Sequence, residues 1–561
     1  MSKVRELLRQ GRREELWQMC CGFMDLSLEQ FMAIQKRLLL EQIELLQNCE
    51  LGRKVMRGAI PETVEQFREQ VPLTTYHDYC PELSERREDI LPAKPGRWVR
   101  TSGKSGEYAA KWVPWSEDFC REFESASSAV LLASFCRNRG DVSRVKEHMK
   151  ALFALGPPSY GSGAIGAVAQ EALGVDFLPS DIKEEMPFEA IIRNGFAEAL
   201  YKGIDVFGGL PSVLVAVGEQ FKQRSGKMNI RFLLSHPMAL LRLLKGLLKS
   251  KLARRAMVPK DLWTVKGIAG GGTDAGIFKA RVKELWGKQP LEVYAGTEGG
   301  IYAMQTWDYE GMVFVPTLNF FEFIPEDEHF KWELDRSYQP KTVLLDEVKA
   351  GEVYEVVITN LHGGVMTRLR IGDLVRVSSL RNEKLNIDLP QIVFERRADE
   401  LIDIVGFGRL TERIVWQAVE NTSIPYADWT ARQEVVNDKP VLHLYIELKD
   451  NYIASEKGVA TAVYNELVKL DDEYNYNCYK IYGSMETVLN TAKPVEVTLL
   501  SQGAFSRYIA QRQAEGAPLG HLKPVHVNPS DKVLALLGAK PEPVPVVEVA
   551  VEVKAEAMTR Q

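Results

Sequence analysis

The chain has 561 residues, 45% hydrophobic and 26% charged, with 42 glycines and 27 prolines. This is the balance of a globular protein long enough for two or more domains, and it excludes dominant disorder and a small disulfide-stapled scaffold. Seventy Lys and Arg against 76 Asp and Glu leave a formal net charge of −6, which argues against nucleic acid as a partner.

The N-terminal segment Met1 to Cys20 alternates in charge and has no apolar run of signal-peptide length, so it reads as an amphipathic helix of a cytoplasmic protein. Ser27 followed by Gln30 predicts a capping box, and apolar residues recur at helical spacing from Leu28 to Leu46. Residues 1–90 therefore read as helical scaffold. From Trp98 to about Val377, short β-branched runs such as Leu291–Tyr294 and Val353–Ile358 alternate with helices and glycine turns, which predicts an α/β architecture with several sheets.

Within this region, Ile204 to Gly218 is apolar but interrupted by Asp205, Gly208, Gly209 and Pro211, and it is too short to span a bilayer. Residues 238–255 form a basic amphipathic helix with Leu240, Leu241, Leu244, Leu247, Leu248 and Leu252 on one side. It reads either as a helix that lies on an anionic membrane or grips a lipidic substrate carrier, or as an ordinary surface helix packed on the core. The second is the expectation, with no stable membrane association.

Past Arg396 the chain starts afresh, with a strand at Val441–Ile446 and a helix over Ala460–Leu470. The expected organisation is a large N-terminal domain over 1–395, a small α/β C-terminal domain over 396–540, and a disordered Pro/Val/Glu tail over 541–561. The seven cysteines (Cys20, Cys21, Cys49, Cys80, Cys120, Cys136, Cys478) form no C-x-x-C, so neither a disulfide framework nor a zinc site is expected. His148, His236, His329 and His443 show no triad or metal spacing and read as structural or surface residues; His521 is the histidine to watch.

Four short motifs carry possible chemistry. Thr101-Ser102-Gly103-Lys104-Ser105-Gly106 offers backbone N–H groups and hydroxyls to phosphate oxygens, although read alone it serves equally as a surface turn. Tyr294-Ala-Gly-Thr297-Glu298 puts a hydroxyl beside a carboxylate after an apolar strand, a pair suited to a phosphate oxygen and Mg²⁺ or to a solvated turn. Upstream, Gly270, Gly271 and Gly272 leave a bare backbone surface on which a flat base can lie. Arg370-Ile-Gly-Asp373 places an aspartate for ribose hydroxyls, or simply caps a hairpin. Arg397-Ala-Asp399 sits at the domain change and, alone, is a charged linker.

The order and spacing of these motifs resemble those of the adenylate-forming superfamily: its T-S-G-T-[ST]-G loop, Y-G-x-T-E, R-x-G-D and R-x-D hinge. The chain resembles most closely the auxin-responsive Gretchen Hagen-type acyl-acid amido synthetases, to about residue 530. That resemblance rests on Asn319–Pro325, on Arg368–Val377, and on Gly503 to Phe505 through Gly516-Ala517 to Gly520–Pro524. Lys104, His521-Leu522 and Val365-Met366-Thr367 depart from the family's pattern, so substrate identity does not transfer with the motifs.

The resemblance implies an AMP-forming ligase that joins a carboxylic acid to ATP and then passes the acyl group to an amine such as an amino acid. Thr297 and Glu298 are then expected at the α-phosphate, with Glu298 on Mg²⁺. Thr101, Ser102, Gly103, Ser105 and Gly106 are expected at the pyrophosphate, Gly271 and Gly272 at the base, and Tyr294 among the nucleotide-binding residues. Asp373 is expected at the ribose, Arg397 of the hinge motif among the nucleotide-binding residues, and Lys523 at the reacting charge in the first step, delivered by rotation about Asp399. Coenzyme A enters only under an alternative thioester-forming reading of the phenylacetate-CoA ligase type. A catalytically silent nucleotide-binding relative is a second alternative. The acyl pocket is expected between Tyr160–Gly163, Val206–Pro211 and Tyr294-Ala295.

Overall fold

The computed structural model describes residues 2–101, 111–154, 156–157, 159–183, 186, 188–224, 235–271, 275–334, 337–397, 401–404, 408–436, 439–449, 452–474, 495–514, 526–529 and 531–539. Its N-terminal part is helical, as the periodicity predicts. Ser27 caps the helix Leu28–Gln47 with both halves of the capping box in place: Ser27 Oγ accepts from the Gln30 amide, and Gln30 Oε1 accepts from the Ser27 amide. Such a cap is worth about 1 kcal/mol.

The same helix sends Gln35 and Gln42 inward. Gln35 donates to the carbonyl of Asn319 at 2.7 Å and accepts from the Phe321 amide at 2.9 Å. Gln42 accepts from the Gly363 amide at 2.8 Å and donates to the Gly364 carbonyl at 2.8 Å. The buried amides thus satisfy backbone groups of the strand Asn319–Pro325 and of the loop at residues 363–364, which fixes the helix on the sheet.

In chain order the strands are β1 (Pro95–Arg100), β2 (Trp112–Ser116), β3 (Lys150–Ala154), β4 (Asp176–Leu178), β5 (Val206–Gly209), β6 (Gly267–Gly271), β7 (Leu291–Gly296), β8 (Gly300–Gln305) and β9 (Met312–Phe314). These are followed by β10 (Asn319–Pro325), β11 (Val353–Asn360), β12 (Leu369–Ser379) and β13 (Gln391–Arg397). β1 and β2 form a separate antiparallel hairpin. The remaining eleven make one continuous sheet of order β10-β11-β12-β13-β9-β8-β7-β6-β5-β3-β4, so the sheets expected here are dominated by a single large one.

The β4-β3-β5-β6-β7 half is parallel, and from β7 through β8 to β10 the pairing is antiparallel. β7 is therefore where the sheet changes its winding, and its carboxyl end is a place where open α/β sheets bind ligands.

Buried charge ties the two halves of the chain together. Arg368, just before β12, holds Glu322 of β10 with two bonds of 2.9 and 2.8 Å and also donates to the carbonyls of Arg68 and Val71. Arg370 holds Glu355 of β11 in the same way, at 2.9 and 2.6 Å, and stacks its guanidinium 3.6 Å from the Trp332 ring. Removing one partner of such a pair costs roughly 3–5 kcal/mol, because the other is left buried and uncompensated.

Past Arg397 the described elements build their own small sheets: β14 (Leu401–Ile404) with β15 (Gly408–Thr411), and β16 (Tyr426–Val436), β17 (Lys439–Leu448) and β18 (Val495–Leu499) together. The helix Glu456–Tyr474 contains the predicted Ala460–Leu470. Glu447, at the end of β17, accepts from the Gly503 and Phe505 amides at 2.7 and 3.0 Å and so caps the helix Ala504–Ala514.

The six described cysteines are all free. No described helix is long and apolar enough to cross a membrane. The tail 541–561, with Cys478 and His521, lies outside the described residues.

Candidate functional site

Thr297 and Glu298 occupy the tight turn from β7 into β8, at the carboxyl end of β7. Their backbone is held from below. Asn360 donates to the Glu298 carbonyl at 3.0 Å and to Asn319 Oδ1 at 2.9 Å, while Asn319 donates to the Gly299 carbonyl at 2.8 Å. Trp115 of β2 adds its indole N–H to the Thr297 carbonyl at 3.1 Å. Every donor in this cradle comes from a different strand, so the turn is fixed by the sheet rather than by its own sequence.

Gly161 begins the helix Gly161–Leu173 and abuts this turn: a Cβ there would come within 2.5 Å of Thr297 Oγ1. Only glycine allows that approach, which sets the amino end of a helix, with its unpaired N–H groups, beside the Thr297 hydroxyl. The preceding residue, Tyr160, bridges to Arg100, whose amide donates to the Ser159 carbonyl at 2.8 Å and whose guanidinium lies 4.4 Å from the Tyr160 ring. Thr101 then closes the neck of the first motif. Its amide donates to the Lys111 carbonyl at 3.0 Å, and its hydroxyl accepts from the Lys111 amide at 3.1 Å.

Asp373 joins the site from the other side. It lies inside β12 rather than in a hairpin turn, directly across from Arg397 of β13. Three residues, Ile371 to Asp373, stand opposite the single Val356 of β11, and Gly372 takes φ +73° to make that bulge. The bulge separates the roles of Arg370, which goes to Glu355, and Asp373, which goes to the site.

The Asp373 carboxylate receives the Tyr294 hydroxyl at 2.9 Å on Oδ2 and lies 3.1 Å from Arg397 Nη1 on Oδ1. Tyr294 is buried, with its ring edge-on to Tyr302 at 4.9 Å and to Phe394 at 6.1 Å. Burial first, then the nearby Asp373, pushes the Tyr294 phenol well above its ordinary range, so it remains a donor. The Tyr302 phenol is raised too, by burial and then by the Glu298 charge.

The structure therefore brings together Thr101, Tyr294, Thr297, Glu298, Asp373 and Arg397. Gly271 is paired beside Val293 at the end of β6, next to them. Ser102, Gly103, Lys104, Ser105, Gly106, Gly272, Asp399 and Lys523 lie outside the described residues. No motif assigns a role to Trp115, Asn319 or Asn360, nor to Tyr76, whose hydroxyl accepts from the Trp112 amide at 2.7 Å and feels the Glu298 charge. Such second partners have no local signature, because each is defined by a strand elsewhere in the sheet. Among the described residues no group of three or more His, Cys, Asp and Glu could hold a metal alone. A cavity of about 460 Å³ lies elsewhere, at the β4 edge of the sheet, lined by Lys150, Asp176 and Lys202 among others.

Residues 20–181 match the GH3 family N-terminal domain, and residues 312–397, which hold the Arg368 to Asp373 segment and Arg397, match the GH3 family central domain. The chain thus carries two GH3 family domains, over less than half of its length. This chain is 28% identical over 238 residues to the jasmonoyl–L-amino acid synthetase GH3.5 of Oryza sativa subsp. japonica, covering 40% of this chain and 38% of that one. It is 25% identical over 210 residues to the indole-3-acetic acid-amido synthetase GH3.10 of Arabidopsis thaliana, covering 35% and 32%. The matches thus span less than two-fifths of the length of these relatives. Among solved structures, a 2-hydroxyisobutyryl-CoA ligase in complex with 2-HIB-AMP and CoA aligns with TM-score 0.52 at 15% identity, over 91% of this chain and 92% of that one. This likeness is one of fold.

Proposed function

We propose that this chain activates a carboxylic acid with ATP and transfers the acyl group to an amino acid or another amine. In the first step the carboxylate oxygen attacks the α-phosphorus of ATP, the bond to the β-phosphate oxygen breaks, and pyrophosphate leaves. In the second the amine nitrogen attacks the acyl carbon, the bond to AMP breaks with its electron pair going to AMP, and the nitrogen loses a proton to solvent. The observation that supports the reading is the meeting of Tyr294, Asp373 and Arg397 beside the Thr297-Glu298 turn, where the sheet changes its winding.

Asp373 suits a ribose. Tyr294 and Arg397 orient its two oxygens, and each oxygen keeps a lone pair for a ribose hydroxyl. Thr297, with the helix start at Gly161, supplies a hydroxyl and backbone N–H groups to a phosphate. One carboxylate beside one hydroxyl fits Mg²⁺ held mainly by nucleotide oxygens, so Glu298 and Thr297 would hold it, and it would neutralise charge on the phosphates. Lys523 is assigned to the developing charge, and residues 396–540 to a unit that turns about Asp399 between the two steps.

Incubating the protein with ATP, Mg²⁺ and a mixed library of carboxylic acids, amino acids and coenzyme A, followed by mass spectrometry, tests the reading. An amide adduct that depends on ATP is expected. A thioester with coenzyme A would assign the chain to the ligase alternative instead.

A further inference from the structure

The helix Pro237–Leu252 is turned the opposite way from what its leucines predict. Its packed face is the stripe Ala239, Leu243, Gly246 and Ser250, all buried. Gly246 lets Leu262 and Met257 in so closely that a Cβ would meet them at 2.6 and 2.9 Å. Arg242, at the edge of this face, donates to the Leu200 carbonyl at 2.8 Å. The other side is apolar and open to solvent. Met238, Leu240, Leu241, Leu244, Leu247, Leu248 and Leu252 are all exposed, from 36% at Leu240 to 77% at Leu252.

At 100° per residue these seven side chains cover about half the helix circumference, with Lys245 and Lys249 along one border and Lys251 among them. All three lysines are exposed, as are Arg254 and Arg255 at the helix end. Between Glu219 and Asp261 the chain has eleven Lys and Arg and no acidic residue, although the whole protein is net negative. Asp261, at the end of the stretch, is taken by Arg255 at 2.7 and 2.8 Å.

We propose that this face docks on the surface of an anionic lipid bilayer, with the leucines at the acyl boundary and the lysines reaching back to the phosphates. Charge chooses this occupant. A second copy of the chain would bring the same cations against each other. A protein groove would be expected to take aromatic or arginine anchors, of which the exposed face has none, whereas leucines bordered by lysines suit a bilayer interface. Shallow burial of an amphipathic helix combined with basic attraction gives reversible attachment without a membrane-spanning segment.

The test is flotation of the full chain with vesicles of phosphatidylcholine alone and of phosphatidylcholine containing about a third phosphatidylserine. Binding to the anionic vesicles should be at least about tenfold stronger and should weaken at high salt. The combined variant Leu241→Gln, Leu248→Gln, Leu252→Gln should lose that binding about tenfold or more while keeping its melting temperature, because these residues are exposed. Lys245→Gln, Lys249→Gln, Lys251→Gln should lose the preference for anionic lipid. Absent binding, equal binding to both vesicles, or unchanged binding by the leucine variant would overturn the proposal. So would concentration-dependent dimerisation of the wild type that the leucine variant abolishes.

Discussion

The hydroxyl of Tyr294 donates to Asp373 at 2.9 Å across 79 positions of sequence, and Arg397 holds the same carboxylate from the facing strand. The aspartate proposed for the ribose is thus held by a tyrosine of the second motif and an arginine of the fourth. Tyr294→Phe keeps the ring packing and removes one charged hydrogen bond worth about 1.5–3 kcal/mol. ATP affinity, measured by calorimetric titration, should fall roughly tenfold or more with the fold intact. Unchanged affinity would remove Tyr294 from the nucleotide side.

Asn360 offers a test of the cradle under the turn. Asn360→Ala frees the Glu298 carbonyl and one partner of Asn319 in a buried place, so stability in urea should drop by about 1–3 kcal/mol. Acid-dependent pyrophosphate exchange should fall further than ATP binding, because the turn carries Thr297 and Glu298. Equal losses in both would mark Asn360 as a scaffold residue only.

How far the sequence revealed this site follows from where its contacts lie. The Ser27 cap, the Leu291 strand and the Thr297-Glu298 turn are local, and each matched its expected element. The partners of Asp373 are cross-strand, and no spacing rule joins Tyr294, Asp373 and Arg397. Arg368 and Arg370 belong to the same motif as Asp373, yet they serve buried Glu322 and Glu355, because the Gly372 bulge turns the strand between them. The helix Pro237–Leu252 reverses the usual reading of amphipathicity: its small residues, not its leucines, fit the core.

Two charged clusters, one buried around Glu355 and one half-buried around His526, predict opposite responses to pH. Burial raises the Glu355 pKa, but bonds to His329 and Arg370 more than offset it, so the carboxyl sits below its ordinary range. Its stabilisation is full above the unfolded carboxylate value of about 4.3 and is lost as pH falls through the lower folded value. Burial lowers the His526 pKa, but Asp428 and Glu412, at 2.9 and 2.6 Å, raise it overall. That stabilisation is full below about 6.5 and is lost as pH rises through the higher folded value. Urea midpoints against pH should show Glu355→Gln flattening the acid limb and His526→Gln the limb above neutrality. Parallel curves for either variant would contradict its assignment.

Lys523→Ala separates the two half-reactions. Acyl-AMP formation should slow by roughly two or more orders of magnitude, as when a preorganised charge on a reacting phosphate is lost. Transfer from chemically made acyl-AMP should run near the wild-type rate. Equal damage to both steps would remove support for rotation about Asp399.

Acid-dependent exchange of labelled pyrophosphate into ATP tests the central claim most directly, run on the wild type and Glu298→Gln against a panel of carboxylic acids. The account predicts exchange with at least one acid by the wild type, and a loss of roughly a hundredfold or more in the variant with ATP still bound. A folded, ATP-binding wild type that exchanges with no acid, or a variant that exchanges as fast as the wild type at limiting Mg²⁺, would contradict it.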